Sequence, residues 1–181
     1  MNAILKIRAA TCADVDAIAA LHVASWRSTY RGILLDEFLD GPVEENRLNL
    51  WRSRLENPGA AQIVLLTEGA DGLDGFVCLL LDHGPHRHSY IDNLHVAARC
   101  RGRGLGKRLM QAAASAIPAT HAAQPVSLTV FEQNRAACAF YERIGGKAGE
   151  VVYEVEPDGR ELPSLKYAWA SRDALLAGVG A

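Results

Sequence analysis

The sequence has no apolar run approaching the ~20 residues that span a bilayer. Its first ten residues, Met1 to Ala10, lack the apolar centre and small-residue cleavage site of a secretory leader. Its four cysteines, Cys12, Cys78, Cys100 and Cys138, form no C-x-x-C pair, and thiols scattered in this way read as reduced rather than as a disulfide framework. Net charge is small as well, −2 from 19 Lys+Arg against 21 Asp+Glu. Nothing in that balance attracts nucleic acid or an anionic membrane. These absences predict a cytoplasmic protein with free thiols, no nucleic-acid partner and no membrane partner. What is present suits a globule. The 181 residues, 49% hydrophobic and 22% charged, fit one domain with enough apolar material for a packed core.

Strand and helix patterns alternate along the chain. Ile4 to Arg8 alternates apolar and charged residues and reads as a short strand. Thr11 follows as a helix N-cap, with Asp14 in the place of the capping-box acid. Val15, Ile18, Ala19, His22, Val23 and Trp26 then recur at three- and four-residue steps, the stripe of an amphipathic helix that leaves at Arg31-Gly32. A second helix is predicted from about Pro42 to Leu55, stopped by Asn57-Pro58-Gly59. Strands are predicted over Gln62 to Thr67, Gly75 to Leu81, Ser89 to Val96 and Val126 to Phe131. Helices are predicted over Gly104 to Ile117 and Asn134 to Ile144, the latter closed by Gly145-Gly146. Lys147 to Val155 and Glu161 to Trp169 flank Pro157-Asp158-Gly159 as a hairpin. With no repeat and no linker, the expectation is a single α/β (α+β) domain over residues 1–181. Its core spans about 4–170, and the Ala/Gly-rich tail 172–181 is expected to fray.

The most informative stretch runs from Asn93 to Met110, where an apolar strand enters a glycine-dense turn and then a helix. The first N–H groups of a helix lack intrahelical partners and sit at the positive end of its dipole. Gly102, Gly104 and Gly106 clear side chains away from those groups, while Arg99, Arg101, Arg103, Lys107 and Arg108 surround them. That is an anion site, and its spacing suits a pyrophosphate. A Walker loop needs four residues between its first glycine and Gly-Lys, then Ser or Thr; here three separate Gly102 from Gly106, and Arg108 follows Lys107. A dinucleotide fingerprint needs G-x-G-x-x-G and an acid about 20 residues later; here the glycines read G-x-G-x-G, and Thr120 to Gln124 offer no acid. Both nucleotide readings fail.

Arg101-Gly102-Arg103-Gly104-Leu105-Gly106 resembles the Q/R-x-x-G-x-G/A signature of the GCN5-related N-acetyltransferase (GNAT) family. The segment from Asn134 to Gly146 is similar to that family's N-x-x-A-x-x-F-Y-x-x-x-G. The resemblance covers Ile4 to Trp169, nearly the whole chain. It implies a mixed, mostly antiparallel central sheet of about seven strands flanked by about four helices. It also implies acetyl-CoA as co-substrate, no metal, and transfer of an acetyl group to a primary amine of a small molecule or peptide. A catalytically silent acyl-CoA-binding sensor or scaffold of the same fold is the alternative. By the same resemblance a homodimer is possible.

The resemblance also assigns residues. The turn from Arg101 through Lys107 would hold the CoA diphosphate on backbone amides. Leu94, His95 and Val96 would lie on a strand that splays from its neighbour and pairs with the pantetheine arm. Asn134 and Tyr141, seven residues apart and so on one helix face, would meet the arm and the sulfur. Tyr141 is the candidate proton donor and Asp92 the candidate base or substrate anchor; a strand-end carboxylate with no role is the plainer alternative for Asp92. Period two places Asp92, Leu94 and Val96 on one face and His95 on the other, unless a bulge resets the phase. His95 and water remain further choices for the base. Trp26 and Tyr30, four apart on one face, are candidates for lining the acceptor pocket, with core packing the plainer reading of Trp26. His83, His86 and His88 cluster, but Gly84-Pro85 breaks metal-ligand spacing and a solvent-facing loop is expected. The identity of the amine, and whether a longer acyl group is preferred, stay open.

Overall fold

The computed structural model describes residues 6–180. Its elements run β1 (Ile7–Ala9), α1 (Val15–Thr29), α2 (Asp36–Asp40), α3 (Val43–Glu56), β2 (Gln62–Gly69), β3 (Gly72–His83) and β4 (His88–Val96). They continue α4 (Leu105–Ala116), β5 (Val126–Phe131), α5 (Arg135–Arg143), β6 (Lys147–Val155), β7 (Glu161–Trp169) and α6 (Arg172–Gly180). Among the described residues the first strand begins at Ile7; Ile4 and Leu5, where its pattern begins, lie outside the described residues. As expected, Asp14 caps the entry to α1, accepting the Thr11 N–H at 2.7 Å. It also pairs with Arg8 at 2.7 Å.

Two expectations are corrected. Six helices, not about four, are present among the described residues. The C-terminal segment does not fray: α6 buries Leu175 and Val179 in the core beside α4. Its alanines and glycines make a small, smooth helix face that packs closely. The chain approach is so tight that a Cβ on Gly178 would lie 2.0 Å from the Ile144 carbonyl oxygen.

The seven strands form one sheet in the order β1-β2-β3-β4-β5-β7-β6. Every neighbouring pair is antiparallel except β4 and β5. That parallel contact is brief: only Ser89 pairs with Val126 and Tyr90 with Ser127. Beyond it, β4 keeps to β3 and β5 keeps to β7, so the two strands part and leave a gap between Ile91–Val96 and Leu128–Phe131. One face of the sheet packs on α4, α5 and α6. The other packs on α1 and α3, with a smaller cluster of Val23, Trp26, Phe38 and Phe131 beside the gap.

A bulge in β4 sets which side chains face the gap. Cys78 pairs with Asn93 and Leu79 with Ile91, leaving Asp92 as the extra residue. Ile91 joins the core against α4, while His95, four residues on and opposite Phe76, lies on the α1 side. Residues four apart in a strand that alternates without a bulge share a face; the bulge sets these two on opposite ones.

Candidate functional site

The parted strands open into a cavity of about 1120 Å³. At one end lies the turn before α4. Gly102 and Gly104 adopt φ of +74° and +76°, a left-handed region open to glycine at little cost. Among the described residues, the backbone N–H groups of Gly102, Arg103, Gly104, Leu105 and Gly106 make no backbone hydrogen bond. Five donors at a helix start fit a diphosphate. Gly106 faces Phe140 and Val96, and an added Cβ there would stand 3.5 Å from the Phe140 ring. Its missing side chain keeps the passage from turn to gap open.

The structure brings nearly all the predicted site residues to this one cavity. Trp26, Tyr30, Asp92, Leu94, His95, Val96, Arg101, Gly102, Gly104, Leu105, Gly106, Lys107, Asn134 and Tyr141 all line it. Arg103 does not; it sits on the outer side of the turn, exposed.

The side chains differ in how free they are. Asn134 caps α5, its Oδ1 accepting the Ala137 N–H at 3.2 Å, which leaves its amide group to donate into the cavity. Tyr141 is buried, edge-on to Phe140 and packed near Tyr167 and Trp169. Burial and the neighbouring Tyr30 push its phenol well above the usual range, so it stays protonated. Tyr30 lies edge-on to Phe131 at 4.9 Å. Burial and Glu156 raise its hydroxyl to about 12, with Asn134 close enough to act in the opposite direction.

Asp92 and His95 are both engaged. Asp92 accepts a 2.6 Å hydrogen bond from Arg54, whose guanidinium also reaches Asn93 at 3.0 Å. His95 Nδ1 meets the Ser25 hydroxyl at 2.8 Å, and its ring lies tilted against buried His22, the centroids 4.4 Å apart. Burial, with Arg47 and Arg101 adding to it, lowers the His95 imidazole to about 3. A ring that binds a proton so weakly is a poor base. Trp26 packs in the core beside Phe38 and also lines the cavity.

Five charged residues that line the cavity were not foreseen from the sequence: Arg47, Arg54, Arg143, Glu154 and Glu156. Arg47 did leave a signal. Val43, Arg47, Trp51 and Leu55 recur every four residues and are the buried face of α3, so Arg47 stands where an apolar residue belongs. Glu156 left none, because its place depends on where the β6–β7 hairpin folds. That hairpin is pinned over the cavity by Asp158, whose Oδ2 accepts the Leu35 N–H at 2.9 Å, and by Arg160, which donates to the Ile33 carbonyl. Burial, reinforced by Glu154 and Asp158 and opposed by Arg47, raises the Glu156 carboxyl to about 7.

Among the described residues no group of three His, Cys, Asp or Glu is placed to hold a metal ion, and no helix is long and apolar enough to cross a membrane. All four cysteines are free.

Comparisons with known proteins give a family and a fold. Residues 18–146 match the family model described as acetyltransferase (GNAT) family. No curated protein sequence matches the chain. Among solved structures, the PaiA N-acetyltransferase of Thermoplasma acidophilum, in complex with coenzyme A, is 19% identical. The match covers 91% of this chain and 98% of that one at a TM-score of 0.66. YncA of Salmonella typhimurium, described as a putative acetyltransferase and solved with acetyl-CoA, is 19% identical over 93% and 94% of the two chains, at a TM-score of 0.65. A mutant of the spermidine N-acetyltransferase SpeG of Vibrio cholerae is also 19% identical, over 95% and 96%, at a TM-score of 0.65. At these identities the likeness to solved structures is one of fold.

Proposed function

The chain belongs to the acetyltransferase (GNAT) family, and on that premise we propose that it is an acetyl-CoA-dependent N-acetyltransferase acting on a primary amine by direct attack. The observation that carries this reading is the single cavity joining a turn of free N–H groups, a strand edge and a titratable carboxylate. Bound acetyl-CoA supplies a thioester carbonyl activated toward amines. The turn from Arg101 to Lys107 holds its diphosphate. The free edge of Leu94 to Val96 offers backbone groups that pair with an amide-rich arm as another strand would, and the Asn134 amide donates to the same arm.

An alkylammonium loses its proton near 10.4 in water and must be neutral to attack. Glu156 is the group suited to take that proton. With its carboxyl at about 7, it is ionised above neutral pH and still basic enough to compete for a proton. Asp92, with Arg54 as counter-ion, instead anchors the bulged strand to α3. Tyr141 donates a hydrogen bond where negative charge gathers on sulfur. A thiol ionises near 8.5, so full transfer from a phenol raised this far is uphill, and Tyr141 keeps its proton.

The test is release of free CoA thiol from acetyl-CoA across a panel of amines, alongside calorimetric CoA binding. The reading expects binding and amine-dependent release. Binding without release for every amine would leave a silent acyl-CoA-binding module.

A further inference from the structure

The cavity holds two opposite charges that do not pair with each other. Arg47 is 8% exposed. Its guanidinium carbon lies 4.2 Å above the Trp26 ring, and its Nε donates to Asn46 Oδ1 at 2.9 Å, an oxygen that its Nη2 also reaches. Among the described residues its Nη1 has no hydrogen-bond partner, and no carboxylate comes within ion-pair distance. Burial, with Arg54 nearby, lowers this guanidinium to about 10. Arg47 and Glu156 act on each other's ionisation without touching. Lys107, Arg143 and Glu154 also line the cavity, and two further cations are engaged elsewhere. Arg54 is engaged by Asp92, and Arg101 turns toward Ser28 and the Val96 carbonyl near the glycine turn.

A buried guanidinium without a counter-ion is costly to the fold unless something binds it. Its planar fork, fixed by Asn46 and the indole, is shaped for a carboxylate or a similar oxyanion. Resting on the transferase reading above, we propose that the acceptor is a zwitterion. It is an amine that carries its own anionic group, of the α-amino acid type, with the anion on Arg47 and the ammonium facing Glu156. A polyamine would set further positive charge against Arg47 and Arg54. A peptide N-terminus would bring a neutral amide to Arg47 and leave it unpaired. Each fits the observed charges less well.

The experiment compares acetyl transfer to an α-amino acid, to the same amino acid as its carboxamide, and to spermidine, using the full chain. The amino acid is expected to exceed the carboxamide in kcat/KM by about 100-fold, the scale of a buried charge deprived of its partner. In Arg47→Gln that ratio is expected to fall toward one. Being measured within a single variant, the ratio does not depend on how much of the protein folds. Arg47→Lys, which keeps charge but not the fork, is expected to restore part of it. Equal use of acid and carboxamide, preference for spermidine, or an unchanged ratio in Arg47→Gln would each overturn the zwitterion assignment while leaving the transferase reading intact. Absence of transfer to every acceptor would overturn both.

Discussion

Replacing Glu156 with glutamine is expected to lower activity and raise stability together, in a pH-dependent way. The carboxyl ionises near 4.5 when free and at about 7 in the fold, a difference of about 2.5 pH units. At 1.36 kcal/mol per unit, ionising it in the folded state costs about 3.4 kcal/mol. Glu156 is only partly buried, and solvent screening reduces this to about 1–2 kcal/mol. The sign follows from proton binding. Between 4.5 and 7 the folded state holds the proton more tightly than the unfolded one, so this residue's contribution falls as pH rises through that window and stays low above it. The groups acting on it are Glu154, Asp158 and Arg47, with Tyr30 feeling its charge in turn. Glutamine cannot ionise. At pH 8, Glu156→Gln is therefore expected to melt about 2–6 °C above the parent, with the lead nearly gone at pH 5. At pH 8 its kcat/KM is expected to drop about 100-fold, the lower end for a lost general base, and the rise in rate between pH 6 and 8 to flatten. Thermal unfolding and thiol release at both pH values check this. A melting lead that is the same at pH 5 and 8, or activity retained, would refute the reasoning.

Tyr141→Phe removes one hydroxyl and little packing, so kcat is expected to fall about 100-fold with CoA affinity unchanged by calorimetry; unchanged turnover would take Tyr141 out of the mechanism. Gly104→Ala puts a Cβ on a residue at φ +76°, a strain of about 1–2 kcal/mol, and is expected to weaken CoA binding about tenfold by re-aiming the N–H groups of the turn. Asp14→Asn tests the cap of α1. Arg8 holds the Asp14 carboxyl down at about 2 against burial, so its contribution is present above about pH 4 and lost as pH falls toward 2. The variant is expected to lose about 1–2 kcal/mol in denaturant titrations at pH 7 and almost nothing at pH 2.

Local chemistry decided what could be foreseen. The strands, the capped α1 and the glycine turn each declare themselves within a dozen residues, by period, cap or glycine. The turn's function is therefore written beside its fold. The acceptor end is assembled from α1, α3 and the β6–β7 hairpin, more than 100 residues apart in sequence. Arg47 was visible as a charge on an apolar stripe, yet its unpaired state appears only once α3 lies against Trp26. Glu156 carries no local mark at all. The tail misled because alanine and glycine are weak signals of burial. Docked against Ile144, small residues are what the tight contact requires.

The β4 bulge couples the sheet to the cavity, and its removal is a decisive perturbation. Asp92 has two separable attributes: a carboxylate that meets Arg54 and a backbone unit that makes two residues of β4 oppose one step of β3. Asp92→Ala removes the first and keeps the second. It leaves Arg54 short of a charged partner, still bonded to Asn93, and is expected to fold and bind CoA within about threefold of the parent. Deleting Asp92 removes the second. Ile91 and His95 would then stand three residues apart, so plain alternation keeps His95 on the α1 side and Leu94 and Val96 on the α4 side, as now. What is lost is the local twist that a bulge adds, which helps β4 leave β5 after Tyr90. CoA binding is therefore expected to vanish in the deletion while circular dichroism still reports a sheet. Parent-like CoA affinity in the deletion would show that the gap opens for some other reason than the inserted residue.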